Sequence, residues 1–482
     1  MFLKKYVSYG ITLLLMLTSA TIYGQQAKDI TFTTNSPEAM KLFLEGLDLM
    51  DNFRYAEAAA PLEKAVKADP DFAIAYDFWG ATAPTTDERL KRFRKAFELA
   101  PKASEAERLI ILSDKALFEN KPDSAEANLR KVVELLPDGK RAHYILAMFL
   151  NGQQKYPEAE KEYNKAISLD PNFAPAYNNL AYFLSTLDRY PEAIKALQKY
   201  VELKPLEPNP HDSMGEIYLW MGDYDNSFKE YSNALKLDPN FVSSLAGLGH
   251  NYVFKGEFDN ARGKYNEMLA HAHNVSDTIM AYYWKTVSYV HEKNYDAAIG
   301  VLNDELGFAQ ARNDIYLIPD IHFNLATVYS EKGDFDKALD DVAVDRKLAM
   351  NPGIDSVSQK GYLRGCLLME TDILARQGKI DLASAKVAEF QKSIQEINNP
   401  ALTRNNHGAA GIVAFYQKDY STAINELKQS DPSDQYCKYY LGLSYDMSGQ
   451  KDQAKKIFSE IAKYNRNGLD YAIVRPAALA KM

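Results

Sequence analysis

Small, aromatic and proline positions recur along the chain at a period of 34 residues, with polar and charged residues between them. The period is set by four prolines at intervals of 34 residues: Pro137, Pro171, Pro205 and Pro239. Because proline disfavours the helical conformation of the residue before it, each marks the end of a helix and the start of another unit. Such self-similarity predicts an array of repeats that grows along one axis.

Small residues are fixed at two places in each repeat. With the proline at position 32, position 8 is small in Gly46, Gly80, Ser113, Ala147, Ala181, Gly215, Gly249, Thr286, Ala326, Thr371, Gly411 and Gly442. Position 20 is small in Ala58, Ala125, Ala159, Ala193, Ser227, Ala261, Ala298, Ala338, Ala383, Ala423 and Ala454. Two antiparallel helices approach closely only where the facing side chains are small. The pattern therefore predicts a pair of helices in each repeat.

The turn between the two helices has its own signature. Position 17 is aromatic in Tyr55, Tyr156, Tyr190, Tyr224, Phe258, Tyr295, Phe335 and Tyr420. Just before it, three repeats carry a glycine followed by an acid: Gly222-Asp223, Gly256-Glu257 and Gly333-Asp334. The glycine ends the first helix and the acid begins the second, where negative charge is favourable.

Together these features resemble the tetratricopeptide-repeat family. One repeat reproduces the family pattern at Gly215, Tyr218, Tyr224, Tyr231, Ala234 and Pro239. The resemblance covers roughly 430 of the 482 residues, as about twelve repeats. It implies an all-α, right-handed superhelical solenoid whose concave groove is formed largely by the first helices.

The sequence predicts five segments. They are a signal peptide at 1–24, an N-terminal linker at 25–38, a regular array at 39–275, a degenerate array at 276–468, and a tail at 469–482 that caps the last helix. Repeats begin near residues 39, 73, 106, 140, 174, 208, 242, 279, 319, 364, 404 and 435. The second repeat is compressed, and extra residues interrupt the array from 313 onward.

The N-terminus predicts export to the periplasm or cell envelope. Lys4 and Lys5 precede an apolar run, Ile11 to Leu17, and then small and polar residues, which is the order of a secretory signal peptide. Cleavage is expected after Gly24, with Ala20 as the other choice and an uncleaved anchor as an alternative. The net charge is −9 and basic residues alternate with acidic ones, so a nucleic-acid-binding surface is not expected.

The titratable residues do not predict catalysis, a metal site or a cofactor. His271, His273 and Asp277 are too few and poorly aligned for zinc, so they are interpreted as polar residues of a connection. Four further histidines, His143, His211, His322 and His407, all fall at position 4 and are interpreted as core residues. Cys366 and Cys437 belong to different repeats, too far apart for a disulfide, so two buried thiols are expected.

The resemblance also implies which residues line the groove, since positions 2, 5, 9, 12 and 13 of the first helix face it in the family. The candidate partner-binding residues at these positions are Phe118, Tyr144, Tyr182, Asp212, Glu216, Trp220, Phe254 and Tyr283. Further residues at the same positions are Phe43, Phe323, Phe415, Tyr416, Asp114 and Asp372. Exposed aromatic rings in a groove mark interaction sites. The alternative is that the rings pack onto neighbouring repeats.

From the sequence we expect an exported, non-enzymatic scaffold that binds a protein or peptide partner in its concave groove. No stable membrane anchor is expected after signal cleavage. An alternative is a glycan- or small-ligand-binding protein of the cell envelope. A third possibility is a hydrolase or transferase with its site in the irregular region 353–403.

Overall fold

The computed structural model of the chain describes residues 29–397 and 399–482. Within these ranges the chain forms 25 α-helices, a 3-10 turn at Ala100–Lys102 and no β-strand. The predicted signal peptide, residues 1–24, lies outside the described residues.

The helices follow one another as twelve pairs within the described ranges, and a single helix follows the last pair. The first helices of the pairs are α1 Pro37–Asp51, α3 Ala73–Ala81, α5 Glu105–Phe118, α7 Lys140–Gly152, α9 Ala174–Thr186, α11 Asn209–Met221, α13 Val242–Lys255, α15 Val275–His291, α17 Leu317–Lys332, α19 Ser356–Arg376, α21 Pro400–Tyr416 and α23 Gln435–Met447.

The second helices are α2 Tyr55–Ala68, α4 Thr86–Leu99, α6 Pro122–Leu135, α8 Tyr156–Leu169, α10 Tyr190–Leu203, α12 Tyr224–Leu237, α14 Phe258–Ala270, α16 Tyr295–Ala311, α18 Phe335–Ala349, α20 Ile380–Ile394, α22 Tyr420–Leu427 and α24 Lys451–Ala462. The final helix is α25, Leu469–Leu479. The helices pack mainly against their neighbours in the chain. The prediction of an all-α solenoid of about twelve repeats is confirmed.

The glycines at position 8 are required by the packing within each pair. A methyl group placed on Gly46 would lie 2.6 Å from Cγ of Leu62, and one on Gly442 would lie 2.7 Å from Cε1 of Phe458. In both repeats the facing residue is sixteen positions later, at position 24. Since real Cβ atoms do not approach so closely, glycine lets the large side chain of the second helix lie against the backbone of the first.

Position 20 is buried throughout. The residues at this position in the described chain are at most 2% exposed: Ala58, Ala125, Ala159, Ala193, Ser227, Ala261, Ala298, Ala338, Ala383, Ala423 and Ala454. The expectation that small side chains sit at the closest approach of the two helices is therefore confirmed.

A left-handed backbone residue at position 15 makes the turn inside most pairs. It is glycine at Gly222, Gly256, Gly333, Gly378 and Gly449. A side chain occupies the same conformation at Phe53, Asn120, Gln154, Asp188, Lys293 and Lys418. Glycine adopts positive φ without steric cost, whereas other residues do not. The turn geometry is thus a property of the repeat and not of the glycines that first indicated it.

Three of the histidines at position 4 join the two helices of their repeat. Nδ1 of each lies 2.5–2.7 Å from a carboxylate oxygen nineteen residues later, in the pairs His143–Glu162, His322–Asp341 and His407–Glu426. His143 is buried, as predicted for a core residue, whereas His322 and His407 are half-buried. Each has an acidic partner at position 23 of its repeat, on the second helix.

The chain divides into two compact units, Met1–Ser213 and Met214–Met482, called here the N-terminal and C-terminal units. The division falls within α11, whereas the sequence-based boundary at 275 marks the loss of repeat regularity. The core of the C-terminal unit consists of several apolar clusters along the described chain. Most lie between successive helices, and one adds Leu469 and Ala472 of α25 to residues of α15, α16 and α17. This is the layout expected of a repeat array.

Candidate functional site: an acidic pocket in the C-terminal unit

In the N-terminal unit, the tip of the first helix pair contacts later repeats. Asp51 forms a two-oxygen ion pair with the guanidinium of Arg141, at 3.0 and 2.5 Å. Beside it, the ring of Phe53 lies 6.4 Å from that of Tyr200. Arg141 is at position 2 of the fourth repeat, one of the predicted groove positions. This inner position is therefore occupied by the unit's own first turn.

The described part of the predicted linker also packs against this unit. The ring of Phe32 lies 4.6 Å from that of Phe43. The backbone N–H of Thr33 donates to Oε1 of Glu107 at 2.9 Å, and the Thr33 hydroxyl bonds the other oxygen of the same carboxylate. Residues 29–36 thus form an extended segment bound to the first repeats.

The four candidate groove residues of the N-terminal unit are not exposed rings. Tyr144 is 7% exposed, and its hydroxyl accepts a hydrogen bond from Asn179 at 2.7 Å. Asp212 is buried, while Phe118 and Tyr182 are half-buried. The interpretation of Tyr144 as an exposed binding ring is wrong, because its ring is enclosed between neighbouring repeats; this is the packing alternative left open by the sequence.

In the C-terminal unit, α25 and the turn before it cover the inner side of the first repeats. The guanidinium of Arg466 lies 4.1 Å from the ring centroid of Trp220. The backbone N–H of Leu469 donates to the hydroxyl of Tyr283 at 3.1 Å. Glu216, Trp220 and Tyr283 are half-buried. Two of the predicted groove rings are therefore in contact with the end of the chain.

The same segment encloses Phe254 and two histidines. Phe254 is 7% exposed and its ring lies 6.1 Å from that of Tyr471, so it is a core residue and not an exposed groove ring. The amide of Asn467 lies 3.0 Å from both His250 Nδ1 and His291 Nε2. Burial lowers the pKa of His250 to about 3 and that of His291 to about 4, so both rings are neutral at pH 7.

The C-terminal helix does more than cap the last repeat. Besides packing on α23 and α24, α25 contacts α15, four repeats earlier. Leu469, Tyr471, Ala472 and Val474 are all buried, which places apolar side chains on more than one side of this short helix. Since a helix that is buried on two sides bridges two surfaces, α25 joins the last repeat to α15.

A pocket remains open inside the C-terminal unit, with a volume of about 320 Å³. It is lined by the first helices of four consecutive repeats, α17, α19, α21 and α23, by the turn before α23, and by α25. Alternate helices of the array therefore contribute, and all of them are first helices. First helices are also the elements that the family resemblance implied for a groove.

Residues spaced by one helical turn supply the pocket wall. On α17 they are Phe323, Thr327 and Glu331. On α19 the equivalent residues are Leu368, Asp372 and Arg376. Side chains four apart lie on one face of a helix. Each helix thus presents an apolar residue, a small polar or acidic one and a charged one along the same wall.

Charged side chains in the pocket are partly paired. Arg376 forms an ion pair with Glu331 at 2.5 Å and lies 3.8 Å from Asp372. Asp372 also accepts a hydrogen bond from the hydroxyl of Tyr436 at 3.1 Å. Glu331, Asp372 and Arg376 are each 14–17% exposed, so these charges are substantially removed from water. Such pairs are held more strongly than ion pairs at the surface.

Two carboxyl groups of the pocket have raised pKa values. Burial, followed by the charges of Glu331 and Asp470, raises the pKa of Asp372 to about 6 against the opposing effect of Arg376. The pKa of Asp470 is likewise raised to about 6, by partial desolvation at the pocket wall and then by the charges of Asp434 and Glu331. Repulsion among carboxylates is a sign that the pocket holds more negative than positive charge.

The two thiols are buried, and their pKa values are raised. Cys437 lines the pocket, and burial followed by the charge of Asp434 raises its pKa well above the ordinary thiol value. Cys366 is also buried, and burial followed by Asp345 raises its pKa to about 12. Both are free cysteines, as the sequence predicted. A protonated thiol is a poor nucleophile and a poor metal ligand.

Among residues 29–397 and 399–482, no group of three or more histidine, cysteine, aspartate or glutamate side chains could hold a metal ion. Over the same residues, every helix is too short or too polar to cross a membrane.

Sequence reasoning located part of this pocket. Phe323 and Asp372 occupy predicted groove positions, but they were placed behind the eight candidates in earlier repeats. Tyr436 and Arg376 were missed, although they stand at positions 2 and 13 of their repeats. The same positional rule finds both when it is applied to every side chain of the last four repeats, basic residues included. Asp470 lies beyond the last repeat, where the rule gives no information.

Four segments of the chain match models described as tetratricopeptide repeat. They cover residues 112–174, 162–195, 211–241 and 436–467. No curated protein matches the chain.

Several solved structures resemble parts of the chain. A tetratricopeptide repeat protein from Parabacteroides merdae is 14% identical, with 55% of this chain and 99% of that chain covered and a TM-score of 0.38. MamA from Desulfovibrio magneticus is 19% identical, with 35% and 95% covered and a TM-score of 0.30. A thermophilic TPR protein from Thermus thermophilus is 17% identical, with 36% and 96% covered and a TM-score of 0.32.

Proposed function

The chain is a tetratricopeptide-repeat protein, and from this premise we propose that it is a non-catalytic scaffold that holds a segment of a partner protein. The binding surface in this proposal is the pocket formed by α17, α19, α21, α23 and α25. The observation that carries the proposal is that four consecutive first helices converge there on an open pocket of about 320 Å³. A concave site with converging polar groups is the usual form of a binding site.

Other candidate binding positions are buried or already in contact with residues of the chain itself, which supports the choice of the pocket. In the N-terminal unit, Arg141 is paired with Asp51, and Tyr144 is buried. In the first repeats of the C-terminal unit, Arg466 and Leu469 contact Trp220 and Tyr283. A partner at these places would have to displace a segment of the chain itself, whereas the pocket can receive one without such a rearrangement.

The proposal includes export to the periplasm or cell envelope. It is supported by the order of charged, apolar and small residues between Lys4 and Gly24. Sequencing the N-terminus of the protein isolated from its source should then begin at Gln25 or at Thr21. A chain that retains Met1 would contradict cleavage.

The binding proposal can be tested by blocking the pocket with a single side chain. Asn405 lines the pocket and is exposed, so Asn405→Trp should fill part of the space without disturbing the core. Asn425→Trp is the matched control, because Asn425 is exposed on α22 and does not line the pocket. The full chain and both variants serve as baits for affinity capture from an extract of the source organism.

A partner retained by the unchanged chain and by Asn425→Trp, but lost with Asn405→Trp, is the expected result. A partner retained equally by all three baits would show that binding takes place elsewhere on the array.

A further inference from the structure

We propose that the pocket of the C-terminal unit receives the side chain of an arginine or lysine from the partner segment. This inference rests on the proposed function and adds the chemistry of recognition. It depends on three features of the pocket. These are an excess of carboxylates over guanidinium groups, two carboxylates with no cation within 4.0 Å among the described residues, and an apolar wall.

The charge of the pocket is negative. Five carboxylates line it, and only two guanidinium groups do. Each guanidinium already has a carboxylate partner: Arg376 is paired with Glu331 at 2.5 Å and Arg404 with Asp431 at 3.3 Å. An anionic ligand would therefore meet arginines that are neutralised and further carboxylates that repel it.

The surplus charge belongs to Asp372, Asp434 and Asp470. In the part of the chain that the structure describes, no cation lies within 4.0 Å of Asp434 or Asp470. Asp434 accepts the backbone N–H of Cys437 at 2.9 Å. Asp470 stands in the first turn of α25, is exposed to the solvent of the pocket, and accepts no hydrogen bond among the described residues. It is the natural counter-ion for an incoming cation.

The wall beside these carboxylates is apolar. It includes Phe323, Leu368, Met369, Ile412 and Ile473. The ring of Phe323 is 37% exposed, which is unusual for a phenylalanine on an inner helix. Lysine and arginine carry their charge on an apolar stem, which can lie along such a wall while the charged group reaches a carboxylate. A small inorganic cation would leave this wall in contact with water.

The raised pKa values support the same ligand. Asp372 and Asp470 both have a pKa of about 6, because the pocket wall partly desolvates them and neighbouring carboxylates repel them. A bound cation favours the ionised form and lowers these pKa values. Binding near pH 6 should therefore release protons, and this release is absent if the ligand merely fills apolar space.

Isothermal titration calorimetry of the full chain with short peptides tests the inference. The probes are the amidated, acetylated pentapeptides Gly-Leu-X-Leu-Gly with arginine, lysine or citrulline as X, where citrulline keeps the shape of arginine without its charge. The expected result is binding of the arginine and lysine probes at least about tenfold tighter than binding of the citrulline probe. At pH 6, the observed binding enthalpy should differ between two buffers of different ionisation enthalpy, and the sign of the difference should correspond to proton release.

Two variants of equal charge identify the site. Asp470→Asn should weaken the arginine probe at least about fivefold. Asp452→Asn should leave its affinity unchanged, since Asp452 is exposed in the first turn of α24 and does not line the pocket.

The inference is overturned if the arginine and citrulline probes bind equally, if Asp470→Asn binds like the unchanged chain, or if neither basic probe binds at millimolar concentration. These outcomes are distinguishable from failure of the proposed function. A further outcome is a partner that is captured by the unchanged chain, lost with Asn405→Trp and unaffected by Asp470→Asn. That result would support the proposed scaffold and contradict only the recognition of a cationic side chain.

Discussion

The guanidinium of Arg466 lies over the ring of Trp220, 4.1 Å from its centroid. These two residues belong to the end of the chain and to the first repeat of the C-terminal unit. Nearby, the hydroxyl of Tyr224 donates to Asn465 across 241 positions of sequence. Contacts of this kind turn an open stack of helices into a unit whose two ends are tied together. The last residues are therefore part of its stability and not only a solubilising cap.

Replacing Asn467 by alanine should weaken the contact between the segment before α25 and the first repeats of the C-terminal unit. The Asn467 side chain lies 3.0 Å from the half-buried His250 and the buried His291, and its loss leaves each ring without that partner. The expected cost is about 1–3 kcal/mol in the free energy of unfolding. Hydrogen exchange should show reduced protection of α25. Asn425→Ala, at an exposed site, is the control, and equal protection in both variants would contradict the role assigned to Asn467.

The left-handed backbone conformation at position 15 predicts that two substitutions there change the free energy of unfolding in opposite directions. Gly256 has φ of +78° and open space around it, so Gly256→Ala should cost about 1–2 kcal/mol from conformation alone. Lys418 has φ of +67°, so Lys418→Gly should be neutral or stabilising by up to about 1 kcal/mol. Urea unfolding measures both. A stabilised Gly256→Ala variant would show that the turn tolerates other conformations.

The closest approach of two helices can be tested at Ala193, which is fully buried between α9 and α10. A leucine there should overpack the fifth pair and lower the free energy of unfolding by about 1–3 kcal/mol. Ala127→Leu is the control, because Ala127 is exposed on α6. Coincident melting curves for Ala193→Leu and the unchanged chain would place the repeat register elsewhere.

Asp77 and Asp114 predict a pH dependence of the N-terminal unit. Burial and the neighbouring Asp114 charge raise the pKa of Asp77 well above its ordinary value, and burial raises that of Asp114 to about 6. The folded state thus keeps protons that the unfolded chain releases. Stability contributed by the pair is full below the ordinary value of 3.8 and falls as pH rises through about 6.

Asp77→Asn removes this repulsion. The variant should be more stable than the unchanged chain by about 1–3 kcal/mol at pH 8, with the difference shrinking towards pH 4. Urea titrations at several pH values measure the gap, and Asp138→Asn, at an exposed site, is the control. A gap that does not vary with pH would mean that the two carboxyl groups do not interact.

The fold was predictable because its determinants are local and repeated. Gly215 faces Tyr231 and Gly442 faces Phe458, with the same spacing of sixteen residues in each repeat. A contact that recurs at constant spacing leaves a period in the sequence. The twelve helix pairs, the buried residues at position 20 and the free thiols all follow from that period.

The binding surface was less predictable because it depends on contacts that occur once. The pairing of Asp51 with Arg141 and the hydrogen bond from Leu469 to Tyr283 join residues 90 and 186 positions apart, and neither recurs. They decide which inner positions are covered. Tyr144 and Phe254 fit the positional rule for a groove and are nevertheless buried. Asp372 fits the same rule but lines the pocket. Because all three residues occupy groove positions of the repeat, the period of the sequence cannot distinguish the buried ones from the one in the pocket.

The most direct test of the binding account is site-specific photo-crosslinking in the source organism. A photoreactive amino acid with a short aliphatic diazirine side chain, small enough to leave the pocket open, is placed at Asn405 inside the pocket, at Asn425 on α22, or at Tyr182 in the N-terminal unit. The account predicts an adduct with a partner protein from position 405 and none from the other two. Adducts from position 182 or 425, with none from 405, would place the partner outside the pocket and contradict the account.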